Sequence, residues 1–350
     1  MLVTGHTGFK GSWLSLWLTQ LGAKVTGYSL QPPTKPSNFE ASRVTDLLVA
    51  HHIADIRDSA KLGAAIEAAA PDVIFHLAAQ PLVRESYATP RETFDVNVMG
   101  TLTLLDCVRA TARPCAVISI TSDKCYENRE HVWGYRESDA MGGFDPYSAS
   151  KGAAELVIAS YRRSFFPTDN IKAHGVKIAS ARAGNVIGGG DWAKDRILTD
   201  AVKALAMQQP VSVRSPHSIR PWQHVLEPLS GYLALGAALL DSNAPSLCSG
   251  WNFGPNPGDE ANVATLMDAF CKAWGNGEWR DVADSKHLHE AVMLRLSIDK
   301  ATWELKWKPS WNLEQAVART ARWYRRFYVD PAASMRDACL EDIALYSETR

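Results

Sequence analysis

The sequence predicts an α/β protein: a doubly wound parallel sheet followed by a smaller mixed α/β C-terminal lobe. Three observations carry this expectation. Short β-rich runs alternate with helical patterns through the first half, a glycine trio follows the first run, and the regular alternation fades after Gly184. The 350 residues, 46% of them hydrophobic, suffice for two modest domains or one large α/β unit with an appended lobe.

The strand candidates are Leu2–Thr4, Lys24–Tyr28, His51–Ile56, Val73–Ala78, Ala116–Ser122 and Val176–Ala181. The first is shorter than the five or six residues usual for a strand, so the natural chain is expected to begin a few residues earlier. After it, Leu14, Trp17, Leu18 and Leu21 fall at i, i+3, i+4 and i+7 with Gly22 as a stop, the pattern of an amphipathic helix. Gln31-Pro-Pro-Thr-Lys-Pro36 can continue neither a helix nor a central strand and is expected as a surface loop at the carboxyl edge of the sheet. Beyond Gly184 come Gly188-Gly-Gly190, several prolines and the tryptophans 192, 222, 251, 274, 279, 303, 307 and 311, then a helical stretch over 313–327.

Lys and Arg total 37 against 38 Asp and Glu, scattered rather than blocked, so no extended nucleic-acid surface is expected. The six cysteines (Cys107, Cys115, Cys125, Cys248, Cys271 and Cys339) form no CxxC pair or Cys/His spacing, which predicts neither metal site nor disulfide framework and fits a reducing cytoplasm. No leader is expected from Met1-Leu-Val-Thr-Gly5, and the apolar run from Leu229 to Leu240 is too short to span a bilayer, so a soluble protein without membrane attachment is expected. There is no internal repeat.

Gly5-His-Thr7-Gly8-Phe9-Lys10-Gly11 has the spacing GxxGxxG between a strand and a helix. Glycines there let the backbone turn tightly and bring amides to a pyrophosphate, the Rossmann-type arrangement, whereas a glycine trio without that context is a weak signal. Asp55, followed by Ile56, closes the third strand candidate where a carboxylate can accept from an adenine amino group; simple solvation of an exposed loop is the alternative. After the second strand, Tyr28-Ser29-Leu30 offers neither the acid that usually selects NAD nor an arginine for a 2′-phosphate, and NAD is the expected cofactor. The expected division is a dinucleotide domain over 1–183, with a return segment near 212–240, and a mainly substrate-binding lobe over 184–350.

Tyr147 and Lys151 lie one helical turn apart after Asp145-Pro146, so both side chains can share one site. Making a tyrosine a usable base near neutral pH requires about 3 pKa units, or about 4 kcal/mol, of phenolate stabilisation, which Lys151 and a nicotinamide cation can supply. Thr121-Ser122-Asp123-Lys124 ends the fifth strand candidate at the carboxyl edge, where open sheets bind ligands. Ser122 can hydrogen-bond a substrate hydroxyl, and Asp123 and Lys124 offer proton-transfer groups; a plain turn with Asp123 as a cap is the alternative.

Gly5-x-x-Gly8-x-x-Gly11, His76-Leu77-Ala78-Ala79, Asn97 and Tyr147-x-x-x-Lys151, in this order, resemble the extended short-chain dehydrogenase/reductase superfamily over nearly the whole chain. Four longer stretches narrow the resemblance: Gly5–Ser12, Thr121–Tyr126, Arg182–Trp192 and Arg220-Pro-Trp-Gln-His224 are similar to the CDP-sugar branch of the nucleotide-sugar 4,6-dehydratases. Relatives acting on dTDP- and GDP-sugars usually carry a Glu where Lys124 stands, which leaves the identity of the C5 base open. The resemblance implies NAD held by the glycine turn, Asp55-Ile56, Leu77–Ala79, Asn97, Tyr147 and Lys151, and a nucleotide sugar held by Asn185, Asp191, Trp192 and Arg220. It implies that Tyr147, supported by Ser122, initiates oxidation of CDP-glucose at C4, that a base, with Lys124 the candidate and water or Tyr147 the alternatives, removes the C5 proton, and that Asp123 expels the 6-hydroxyl as water. The product is CDP-4-dehydro-6-deoxyglucose, and the setting implied is deoxysugar synthesis for O-antigen lipopolysaccharide. A nucleotide-sugar 4-epimerase shares the fold, cofactor, Tyr147 and Lys151 but needs no acid like Asp123; a non-catalytic sensor is a further alternative. The segments 97–109 and 153–161 suit a four-helix homodimer or homotetramer contact, or packing within one chain.

Overall fold

The computed structural model describes residues 1–259, 261–275, 277–282 and 293–349. A seven-stranded parallel sheet organises them: β1 (Leu2–Thr4), β2 (Thr26–Ser29), β3 (Ala50–Ile53), β4 (Val73–His76), β5 (Cys115–Ile120), β6 (Val176–Ala183) and β7 (Gly250–Phe253). Their spatial order is β7-β6-β5-β4-β1-β2-β3, every neighbouring pair parallel. Strands such as Val73-Ile-Phe-His76 are buried residue by residue, as expected for a parallel sheet covered on both faces. The order reverses between β1 and β4, and at such a reversal the loops at the strands' carboxyl ends part to leave a crevice.

All six strand candidates form, the first with its expected bounds and the other five with shifted ends. β3 stops at Ile53 and β5 at Ile120, so Asp55 and Ser122–Lys124 sit on the loops beyond their strands. The seventh strand, Gly250-Trp-Asn-Phe253, extends the sheet by pairing with Ser180–Ala183 of β6. It is too short and too mixed in composition to stand out from the sequence.

Helix α1 (Phe9–Gln20) begins inside the glycine motif. Contrary to the amphipathic expectation it is buried without interruption from Gly11 to Leu18. The C-terminal part of the chain covers the face that would otherwise meet water, with the Trp17 and Tyr346 rings 5.7 Å apart. Helices α2 (Ser59–Ala69), α3 (Gly100–Thr111) and α4 (Pro146–Ser164) follow. At the start of α4 the Asp145 carboxylate accepts from the Ser148 amide (2.9 Å) and hydroxyl (2.6 Å), with Pro146 in the first turn, which fixes where Tyr147 enters the helix.

The second half adds α5 (Ile197–Ala206), α6 (Leu226–Asp241), α7 (Val263–Trp274), α8 (Leu313–Val329) and α9 (Met335–Glu348). It also adds two-stranded pairs: Val186–Ile187 with Gln223–His224, Val211–Val213 with Trp279–Asp281, and Ile219–Arg220 with Ala261–Asn262. Helix α6 lies against the sheet, Gly231 and Gly236 allowing it close to Phe253 and Phe75. Trp192, Trp222, Trp251, Trp307 and Trp311 are all core residues that weld this half to the sheet.

Candidate active site

A cavity of about 1240 Å³ opens at the carboxyl ends of the strands. Gly5, Thr7, Gly8, Phe9, Lys10 and Gly11 line one wall, joined by Leu77, Ala78 and Ala79 after β4 and by Asp55 and Ile56 after β3. Gly5 has φ +74°, and a Cβ on it would stand 2.7 Å from the Ala78 nitrogen; a Cβ on Gly11 would stand 2.1 Å from the Gly5 carbonyl oxygen. The turn closes only because these atoms are missing, and it presents the open N-terminus of α1 to the cavity, a cradle that fits a dinucleotide pyrophosphate. Gly11→Ala is therefore expected to destabilise the protein by about 1–3 kcal/mol through overpacking. It should also weaken NAD binding; denaturant midpoints and calorimetric titration check both, and unchanged values would contradict the cradle.

Two residues expected at the cofactor are otherwise engaged. Both Asp55 oxygens bind Arg57, through Nε (2.9 Å) and Nη2 (2.6 Å), and the Arg57 amide adds a third bond (2.8 Å). Those bonds hold the Asp55 carboxyl below its ordinary range and fix its orientation, while the residue still lines the cavity. Asn97 lies outside the cavity lining and is fully buried. Its amide donates to Ser150 Oγ (2.8 Å) on α4 and to the Gln80 carbonyl (3.1 Å), and its Oδ1 accepts from the Gln80 amide (2.8 Å). It ties the loop after β4 to the Tyr147 helix. At the end of β2, Thr7 Oγ1 and Ser29 Oγ share a hydrogen bond of 2.8 Å where an acid often stands.

The opposite wall brings Ser122, Asp123, Lys124, Tyr147 and Lys151 together. Ser122, not Asp123, caps the single 3-10 turn Asp123–Cys125, accepting from the Lys124 amide at 3.2 Å. Its hydroxyl also donates to Asp123 Oδ1 (2.9 Å), and Ser122 favours the ionised form of the Tyr147 side chain against burial. Asp123 is 3% exposed, and its Oδ2 has no hydrogen-bond partner. A buried unpaired carboxylate oxygen is costly, and a ligand hydroxyl satisfies it. Burial pushes the Tyr147 hydroxyl up to about 12, with Ser122 opposing. Lys151 donates to the Ile120 carbonyl (3.4 Å), and burial lowers its ammonium to about 8. Without a ligand, then, Ser122 and Arg196 favour the phenolate against burial, and a cation brought by the cofactor would add to them.

Residues 2–235 match the sequence profile of the family described as GDP-mannose 4,6 dehydratase. The chain belongs to the GDP-mannose 4,6 dehydratase family. It is 52% identical over 325 residues, 93% of its own length and 90% of the relative's, to the CDP-glucose 4,6-dehydratase of Salmonella typhimurium. It is 26% identical over 336 residues, 93% of each chain, to a dTDP-glucose 4,6-dehydratase of Mycolicibacterium smegmatis. Among solved structures, a dTDP-glucose 4,6-dehydratase of Streptomyces venezuelae with NAD and TYD bound superposes with a TM-score of 0.77 at 24% identity, covering 94% of this chain and 98% of that one. A UDP-glucose-4-epimerase of Stenotrophomonas maltophila with bound NAD and formylated UDP-arabinopyranose gives 0.79 at 23% identity, covering 95% and 99%. Both likenesses show the shared fold.

In this GDP-mannose 4,6 dehydratase family member, the third wall of the cavity comes from the second half of the chain. Asn185 and the buried Arg220 border it, as expected. Asp191 borders it too, but its carboxylate pairs with Arg196 (3.1 Å) and accepts from the Ala193 amide (3.0 Å). Trp192 is mainly a core residue: its ring packs on Phe327 (4.9 Å) and on Trp323 and Tyr324 (5.6 Å each), and its indole N–H donates to the Tyr328 hydroxyl (3.2 Å). The sequence reading missed Arg196 and Arg214 on this wall and Arg84, from the first half of the chain, which also line the cavity. Arg84 and Arg214 both pair with Asp195, at 3.2 and 3.5 Å. These arginines come from separate segments, Arg84 on the short helix Val83–Ala88, with no shared spacing, so nothing short of the fold collects them.

Proposed function

We propose that this protein converts CDP-glucose to CDP-4-dehydro-6-deoxyglucose and water with NAD as a resident cofactor. The observation that carries the proposal is the placing, on one cavity wall, of Tyr147 and Ser122 with Asp123, whose buried Oδ2 has no hydrogen-bond partner. The first pair suits oxidation at C4; the spare carboxyl oxygen is the extra acid that elimination of the 6-hydroxyl needs and 4-epimerisation does not. The 52%-identical CDP-glucose 4,6-dehydratase supports the same choice over an epimerase and over a sensor.

The glycine turn, Asp55, Ile56 and Leu77–Ala79 would hold NAD, which would supply reversible hydride storage between C4 and C6. Tyr147 accepts the O4 proton while Ser122 orients the hydroxyl, and the Lys151 ammonium beneath them stabilises the phenolate. The resulting ketone acidifies the C5 hydrogen. Asp123 gives a proton to the departing 6-hydroxyl, and Lys124 is the candidate group for moving the C5 proton. If it is the base, Lys124→Met loses solvent deuterium incorporation at C5 while still oxidising C4; near-normal incorporation assigns that proton to another group. Arg220, Asn185, Arg84, Arg196 and Arg214 present donors suited to the nucleotide diphosphate, with Asp191 holding Arg196 in place. Residues 1–183 serve mainly the cofactor and 184–350 mainly the sugar nucleotide.

No helix among the described residues is long and apolar enough to cross a membrane, and a cytoplasmic enzyme of deoxysugar synthesis for O-antigen fits the proposed substrate. Met99 and Leu156, 48% and 62% exposed on neighbouring helical segments, support a homodimer or homotetramer built on these helices. The test is to incubate the purified protein and NAD with CDP-, dTDP-, UDP- and GDP-hexoses and to follow loss of water by mass. Loss of water from CDP-glucose alone is expected. Isomerisation without mass change would replace the proposal with epimerisation, and NAD binding without turnover would replace it with a sensor.

A further inference from the structure

Behind Tyr147 and Lys151 lies a buried ion pair that the proposed chemistry leaves unused. Glu155, one turn beyond Lys151 on α4, and Arg182 on β6 are each 5% exposed. Glu155 Oε1 accepts from Thr121 Oγ1 (2.5 Å) and Arg182 Nε (2.9 Å). Its Oε2 accepts from Ser180 Oγ (2.7 Å) and Arg182 Nη2 (2.7 Å). Arg182 Nη1 donates to the Tyr126 hydroxyl (2.6 Å), which donates in turn to Asn252 Oδ1 on β7 (2.7 Å), and the guanidinium lies 5.0 Å from the Tyr126 ring centre.

Desolvation largely offsets the attraction within a buried ion pair, so stability alone explains such a pair poorly. What it provides is geometry. Thr121 immediately precedes Ser122, and Tyr126 follows Lys124 by two residues. The turn carrying Ser122, Asp123 and Lys124 is therefore fastened at its first end to Glu155 and at its last end to Arg182. Glu155 in turn belongs to the helix that presents Tyr147 and Lys151. We propose that Glu155, acting with Arg182, is the positioning residue of this site: the pair holds the 121–126 turn in register with the Tyr147–Lys151 face of α4. For the roles of the residues it positions, this inference rests on the proposed dehydration.

The same carboxylate also acts on Lys151. Burial lowers its pKa and Glu155 opposes that, and Lys151 in turn disfavours protonation of His76 on β4 and of Lys10 on α1. Removing the Glu155 charge therefore lowers the Lys151 pKa. That shift can be read without turnover, from a pH titration of lysine side-chain carbon resonances in isotope-labelled NAD-bound protein, with the Lys151 signal identified by its loss in Lys151→Met.

The experiment compares wild type, Thr121→Val, which removes one tie and leaves the ion pair intact, and Glu155→Gln. Expected are kcat losses of about tenfold to a hundredfold in both variants, the scale of a small misplacement of reacting groups. KM and NAD affinity should stay near wild type, and the Lys151 midpoint should fall in Glu155→Gln only. Wild-type kcat in either folded variant, or an unmoved Lys151 midpoint in Glu155→Gln, overturns the inference. So does a matching loss of KM and NAD affinity, which marks general loosening. Should Glu155→Gln not fold, Thr121→Val decides alone by its kcat. A wild-type protein that leaves CDP-glucose unchanged refutes the proposed function instead, and the Lys151 titration still reads Glu155.

Discussion

Tyr147→Phe is expected to lower turnover of CDP-glucose by about 10²- to 10⁴-fold, the usual weight of a positioned proton-transfer group, with substrate affinity nearly unchanged. The substitution keeps the ring that packs at the start of α4 and removes only the hydroxyl. Ser122 keeps its bond to Asp123 at 2.9 Å, so no new unsatisfied donor is left behind. Because the ligand-free site pushes the hydroxyl up to about 12, Tyr147 becomes a base only once a cation is placed beside it. The loss should therefore fall on the first oxidation. Single-turnover absorbance of the reduced nicotinamide, with calorimetric titration of CDP-glucose, separates the two effects; comparable turnover by the variant would remove Tyr147 from the mechanism.

Asp123→Asn is the second large effect, and its signature differs. Asparagine retains an acceptor for the Ser122 hydroxyl but cannot give up a proton to a leaving hydroxyl. Dehydration is expected to fall by about 10²- to 10⁴-fold, while oxidation at C4 proceeds. Reduced nicotinamide should thus accumulate and persist when the variant meets CDP-glucose. Release of the dehydrated sugar at the wild-type rate would show that another group expels the 6-hydroxyl.

The parts of this site that were legible in the sequence are those in which spacing is itself the chemistry. GxxGxxG reads directly because no other residue fits where Gly5 and Gly11 meet the backbone. Tyr147 and Lys151 read because one helical turn separates them. Ser122–Lys124 read because a strand end at the carboxyl edge is where such sheets bind ligands, although Ser122 proved to be the cap.

Elsewhere the deciding partner lies far along the chain. Helix α1 carries an amphipathic spacing, but the C-terminal segment that buries its outer face is not visible from that spacing. Asp55 carries a second partner, Arg57, whose bidentate grip the strand-end position did not announce. Asn97 and Trp192 also have structural partners that no spacing announces: one braces the Tyr147 helix, and the other, while bordering the cavity, packs in the core. Glu155 gave no signal at all, since a lone acid on a helix reads as a solvated charge until Arg182 is seen beside it.

The most direct test of the account is to follow one hydrogen. CDP-glucose carrying deuterium at C4 is converted by the wild-type protein, and the label is located in the product by mass spectrometry and NMR. Intramolecular oxidation, elimination and reduction predict a product lighter by one water with the deuterium at C6. Deuterium still at C4 of an isomer of unchanged mass, or lost to solvent from a dehydrated product, would contradict it.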